Sequence, residues 1–172
     1  MGGGELVVGG LIGCSVEQTL PAPYCDRSGS GVIVAQSVPT ANQVPCLTDL
    51  PEGWSVATVR VNEHRSVITM DSDRAGDGAA VLRFDHLCDV SGAVPVPSEL
   101  PLAERYDAIE QVRPSFRAER FYVFEGGCVY WTFAFDEGVS ATDSVAIGDA
   151  LALVSRVELQ RSISDSFLDE EI

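Results

Sequence analysis

The chain has 172 residues, a length that suits one domain, and 45 % of them are hydrophobic, enough to build a core and against disorder throughout. Acidic side chains number 26 against 11 basic ones, every basic one is arginine, and the formal charge is −15. That charge repels phosphate backbones and anionic lipid, so no nucleic acid is expected as a partner, and membrane association calls for a covalent anchor or a spanning helix.

At the N-terminus the apolar run Leu6-Val7-Val8-Gly9-Gly10-Leu11-Ile12 leads into Gly13-Cys14-Ser15. The run is too short to span a bilayer, which takes about 20 residues. Leu11-Ile12-Gly13-Cys14 resembles the lipobox of bacterial lipoproteins, and the resemblance is confined to this end of the chain. It implies that the Cys14 thiol carries a diacylglyceryl group, that residues 1–13 are a signal remnant, and that the domain is held outside the cytoplasmic membrane. Signal peptides open on basic residues, whereas Met1 to Leu11 holds Glu5 and no basic residue, so the expected leader starts further upstream. A longer N-terminus could equally form a transmembrane helix ending near Cys14. The remaining reading is an apolar tail or a buried first strand.

Residues 14–30 lack periodicity and contain Pro21, Pro23 and Ser28-Gly29-Ser30, which predicts a tether. The globular domain is expected over 31–163. Gly31 to Val38 reads as its first strand and Pro39 to Gly53 as a loop. Trp54–Val61 and Ser66–Asp71 form an expected hairpin around Asn62 to Arg65, and a turn over Asp71–Gly78 leads to a strand over Ala79–Asp85. In that strand Ala80, Leu82 and Phe84 share one face, as period-2 alternation requires. Pro95 to Pro101 is a crossover. Leu102, Tyr106, Ile109 and Val112 fall at helical spacing, predicting a helix over Leu102–Val112 that ends before Pro114.

Gly126-Gly127 separates two strongly alternating runs, Arg117–Glu125 and Cys128–Phe135, the signature of a hairpin. Eight of the thirteen aromatic residues lie between Phe116 and Phe135. Val129, Trp131, Phe133 and Phe135 share one expected face, with Tyr122, Phe124 and Tyr130 on the other, either under helices or forming an apolar ligand or partner surface. Ser140 to Val154 is an expected helix, capped by Ser140 with Asp143 in its first turn. A last strand follows at Val157–Gln160, and 164–172 is an acidic tail. This order predicts a single α+β domain, an antiparallel-rich sheet with about two helices packed on one side.

There are five cysteines, Cys14, Cys25, Cys46, Cys88 and Cys128. None of their spacings suits a metal pair. Setting Cys14 aside for lipid leaves four, enough for two disulfides in any of three connectivities. The pairing Cys25–Cys46 with Cys88–Cys128 is favoured, because it staples the tether to the body and a strand end to the central hairpin. Disulfides imply an oxidising compartment.

Catalytic signals are sparse, and no catalytic, cofactor or metal residue is assigned. Asp71-Ser72-Asp73-Arg74-Ala75-Gly76-Asp77-Gly78 fails the EF-hand pattern, since Ala75 and Leu82 occupy ligand positions. It reads as a solvated turn, with a looser calcium turn as the alternative. His64 sits at a hairpin apex. His86 shares parity with Leu82 and Phe84 and is expected to point inward near the Cys88 bridge. The expected function is a non-catalytic, membrane-anchored extracytoplasmic binding or accessory domain of a bacterial envelope, with an envelope protein or a small apolar ligand as partner. Two alternatives are an envelope hydrolase using His86 with acidic neighbours, and the sensory ectodomain of a longer membrane protein.

Overall fold

The structure is a computed structural model that describes residues 18–25 and 28–168. Cys14, the expected lipid acceptor, lies outside the described residues, as do the signal remnant 1–13, the first part of the tether and 169–172.

The described chain runs β1 (Gln18–Thr19), α1 (Ser28–Ser37), β2 (Gln43–Leu47), β3 (Trp54–Val61), β4 (Arg65–Ser72), β5 (Gly76–Asp85), β6 (Val94–Val96), β7 (Glu104–Gln111), β8 (Ser115–Phe124), β9 (Gly127–Glu137), α2 (Asp143–Gly148), β10 (Leu151–Ser155) and α3 (Arg156–Leu168). Eight strands form one antiparallel sheet in the order β1-β3-β4-β5-β9-β8-β7-β6, and β2 pairs with β10 as a separate ribbon. The domain is mostly antiparallel β-sheet with three short helices, more β-rich than a balanced α+β fold.

Alternation decides which face is buried. Along β4 the buried positions are Ser66, Ile68, Met70 and Ser72, and along β9, after the buried Gly127 and Cys128, they are Val129, Trp131, Phe133 and Phe135. Residues directly opposite in an antiparallel pair share a face, so Ala80, Leu82 and Phe84 stand beside Phe133, Trp131 and Val129 on the core side. Phe116 packs against Phe133 and Phe135 with ring centroids 6.2 and 5.4 Å away, and Trp131 stacks on Phe133 at 5.8 Å. Each such side chain contributes about 1.5–3 kcal/mol by leaving water.

The same core takes in Val34, Ala35 and Val38 of α1, Val44 and Leu47 of β2, Ile147 of α2 and Leu151 of β10. Helices and ribbon therefore cover one face of the sheet. Arg156, at the start of α3, closes this layer. Its guanidinium donates to the carbonyls of Ala35 (2.9 Å), Val38 (2.7 Å) and Ala41 (2.7 Å), at and just beyond the C-terminal end of α1. Those carbonyls carry the negative end of the helix dipole, so a cation there satisfies both charge and hydrogen bonding.

Several expected elements differ. Gly31–Val38 is helix rather than strand: the buried positions Gly31, Val34, Ala35 and Val38 recur at helical spacing, and Gly31 faces Leu159 of α3. Within the expected tether, residues 18–25 are paired with the body. β1 pairs with β3, Leu47 N–H donates to the Pro23 carbonyl, and Cys25 N–H donates to that of Leu47, both at 2.9 Å. Leu102–Val112 holds strand β7 instead of a helix. Its supposed apolar stripe is not buried, because Leu102, Ile109 and Val112 are 79 %, 63 % and 56 % exposed. The expected helix Ser140–Val154 divides into α2 and β10, and Val157–Gln160 belongs to α3, not to a strand. Ser140 does not cap; Thr142 holds that position without a side-chain cap bond. The helix stops where Gly148 meets the buried Arg120, whose Nη1 would lie 2.5 Å from a Cβ there.

Candidate functional site

The hairpin of β8 and β9 sets the geometry of the face that the helices leave uncovered. Its turn is Glu125-Gly126, with Phe124 opposite Gly127. Gly126 has φ +76°, and a Cβ on it would lie 1.9 Å from the Thr40 carbonyl oxygen, so the turn presses onto the segment after α1. Tyr122 stands opposite Val129, which places Tyr122 and Phe124 on the core face, both buried. Of the three aromatic residues expected on the outer face, Tyr130 alone is there, and its neighbour is Phe121.

Register assembles a row across this outer face: Arg60, Val67, Arg83, Tyr130, Phe121 and Tyr106, contributed by β3, β4, β5, β9, β8 and β7. Tyr130 stacks on Phe121 with centroids 5.3 Å apart, and Arg83 holds its guanidinium 5.7 Å from the Tyr130 centroid. Arg83 also donates to Thr132 Oγ1 at 2.8 Å. Burial pushes the Tyr130 hydroxyl above its ordinary pKa, with Arg83 pulling the other way. On one side of this row lie Arg65, Asp85, Cys128, Val123 and Glu104; on the other lie Thr69, Val81, Thr132, Glu119 and Ala108.

The link from β5 to β6 crosses this face. Cys88 bonds to Cys128 (S–S 2.08 Å), which starts it over the Cys128 row. Gly92 then lines a depression with Ala108, Glu119 and Thr132, two rows away. Phe121 stands in the row between those two points and is 5 % exposed. Residues 86–93 are thus a strap pinned by a disulfide. The strap turns on Asp89, whose carboxylate accepts from Ser91 N–H at 2.9 Å; the Ser91 side chain first, and this backbone bond second, hold its pKa below the usual value. Beyond the strap the depression is open to solvent, with a volume of about 480 Å³, and Glu110, Arg117 and Ala134 also line it, together with parts of Ile109, Ala118 and Phe133.

On the core side of β7 and β8 a charged network holds the crossover in place. Tyr122 donates to Glu99 Oε1 (2.5 Å), Arg105 donates to Glu99 Oε2 (2.9 Å) and twice to Asp107 (3.0 and 2.6 Å), and Arg120 Nε lies 3.4 Å from Asp107. Burial pushes Glu99 up, but the bonds from Tyr122, the backbone and Arg105 outweigh it and leave its carboxyl below the usual range. Burial and the Glu99 bond raise the Tyr122 hydroxyl. With two arginines matched to two carboxylates, the network closes on itself and binds strand to loop.

The other cysteine pair is Cys25–Cys46, with S–S 2.15 Å, so the structure brings all four together in the pairing that their positions favoured. The histidines and acidic groups do not converge. His86 Nδ1 meets Thr40 Oγ1 at 3.0 Å, and that hydroxyl donates to the Gly126 carbonyl at 2.6 Å, so the ring nitrogen is the donor. Asp85 points to the opposite face and pairs with Arg65 at 2.9 Å. His64 is exposed at the hairpin apex, where Asn62 Oδ1 accepts from the backbone N–H groups of His64 and Arg65. In the Asp71–Gly78 turn, Asp71 accepts from Gly78 N–H at 2.7 Å, and among the described residues no three His, Cys, Asp or Glu side chains are placed to hold a metal. Nor is any described helix long and apolar enough to cross a membrane.

Sequence reasoning missed Phe121, Arg83, Tyr106 and the lining of the depression. The parity of Phe121 with Val123, opposite to that of Tyr122, was the available signal. Compared with protein-family models, curated proteins and solved structures, the chain matches none of them.

Proposed function

We propose that this chain is a membrane-anchored extracytoplasmic domain of a bacterial envelope that works by binding, and that the strapped outer face of its sheet is the binding surface. The observation that carries the reading is the Cys88–Cys128 bridge, which fixes a strap across a sheet face bearing a stacked aromatic pair and an open depression. A bridge of this kind persists where the surroundings are oxidising, and a second bridge joins the N-terminal segment to β2. Concave surfaces of this size with a few placed polar groups are the usual form of ligand sites.

The lipobox-like Leu11-Ile12-Gly13-Cys14 supplies the anchor in this reading, and the segment from Gln18 is the point at which the anchored end joins the sheet. The reading is tested by expressing the full chain behind a bacterial leader and following its partition between membrane and soluble fractions, alongside Cys14→Ala. Loss of membrane retention in the variant is the expected result. Equal retention of both forms would remove lipid as the anchor, and release of both would remove anchoring altogether.

A further inference from the structure

Three charged side chains line the depression beside the strap, Glu110, Glu119 and Arg117, and all are exposed. None forms an ion pair or hydrogen bond with another described side chain, in contrast to Arg65, Arg74, Arg105 and Arg120, which all have carboxylate partners. Arg117 and Glu119 are successive same-face positions on β8, so their Cα atoms stand about 7 Å apart. Glu110 reaches the same hollow because β7 bulges between Ile109 and Gln111, the latter opposite Arg117. The floor is cut low by small side chains, Ala108 and Ala134, with Gly92 as the open rim and nothing within 4 Å of where its Cβ would stand. Thr132 already accepts from Arg83, which leaves its hydroxyl proton free to donate.

We propose that this depression binds a compact diamino acid, its two ammonium groups on Glu110 and Glu119 and its carboxylate on Arg117, with its carbon chain over Ala108 and Ala134. The proposal rests on the binding reading above and names its ligand. Two negative groups and one positive group in the protein match two positive groups and one negative group in the ligand. The roughly 7 Å between the Cα atoms of Arg117 and Glu119 is a span that the carbon chain of a basic amino acid bridges. The volume, about 480 Å³, lies in the range of small-molecule sites. The net charge of −15 draws a cationic ligand toward the surface. Binding is weak by nature, because exposed ion pairs contribute little each.

The test is titration of the isotope-labelled, oxidised chain with L-lysine, followed by the backbone amide shifts of Gly92, Ala108, Glu119 and Thr132. Saturable shifts at these four are expected. L-lysinamide, which lacks the carboxylate, and Nα-acetyl-L-lysine, which lacks one ammonium, should each bind about fivefold more weakly, the loss of one exposed pair at its upper ~1 kcal/mol. Glu119→Gln should give the same fivefold loss, and Ala134→Leu, which fills the hollow, should abolish the shifts. Equal binding of all three ligands would overturn the three-point contact. If lysine moves none of these amides but a screened saccharide or apolar compound does, the diamino acid is wrong and the binding face stands. If no compound of any class moves them, the binding reading falls with it.

Discussion

Removing the bridge that pins the strap has a calculable consequence. Cys88 and Cys128 are separated by 40 residues. Chain entropy then predicts that Cys88→Ser/Cys128→Ser destabilises the fold by about 4 kcal/mol, within the usual span for native disulfides. In a chain of this length each kcal/mol moves the melting temperature by about 2–4 °C, so the midpoint should fall by roughly 8–16 °C. A second effect separates the strap from a plain crosslink. Phe121, 5 % exposed, should become accessible once residues 86–93 are free to lift, while the core ring Trp131 stays buried. Urea unfolding gives the first quantity. Hydrogen exchange at Phe121 and Tyr130, and binding of an apolar dye, give the second. The Cys25–Cys46 bridge, with a separation of 21, serves as the control: its removal should cost about 3 kcal/mol and leave Phe121 protected. A double variant that loses under 1 kcal/mol, or that leaves Phe121 as protected as in the parent, would refute the strap.

Other consequences follow from single contacts. Arg156→Ala strips three carbonyls at the end of α1 of a charged donor, and should cost about 2–3 kcal/mol in urea unfolding, with Arg156→Lys recovering part of the loss. Gly126→Ala drives a Cβ into the Thr40 carbonyl at 1.9 Å and should destabilise far more than Gly92→Ala, where φ is also positive but the space is empty; equal melting temperatures would contradict the docking of this turn. The Glu99 carboxyl is held below its ordinary value of 4.5, so its contribution is present above that pH and lost as the pH falls through the lowered value. Glu99→Gln should therefore narrow the difference in urea midpoint between pH 7 and pH 3 relative to the parent.

The hairpins were legible because their patterns were redundant. In β8 and β9 the alternation of large apolar residues, the Gly-rich turn and the aromatic density all point to the same pairing, and β3, β4 and β5 are similarly plain. Helices were less legible: α2 falls inside the expected helix Ser140–Val154, but the others were missed or misplaced, for opposite reasons in different places. Val32, Ile33 and Val34 are β-branched and argue for a strand, yet Gly31, Val34, Ala35 and Val38 are buried at helical spacing once α1 lies on the sheet. In β7 the helical spacing of Leu102, Tyr106, Ile109 and Val112 was accidental, as the exposure of three of them shows. Arg120, whose Nη1 would lie 2.5 Å from a Cβ at Gly148, arrives from a distant strand, and no local pattern encodes that approach. The outer face was hidden for a related reason: Phe121 stands beside Tyr130 through the β8–β9 register, and Arg83 reaches its other side only because β5 pairs with β9.

The proposed placement outside the cytoplasm requires that both bridges be formed in the cell. Alkylation of the full chain taken directly from cells, without reduction, followed by mass measurement of its peptides, tests that most directly. The account predicts that Cys25, Cys46, Cys88 and Cys128 remain unlabelled and that the peptides holding Cys88 and Cys128 are recovered joined. Labelling of all four thiols would contradict it.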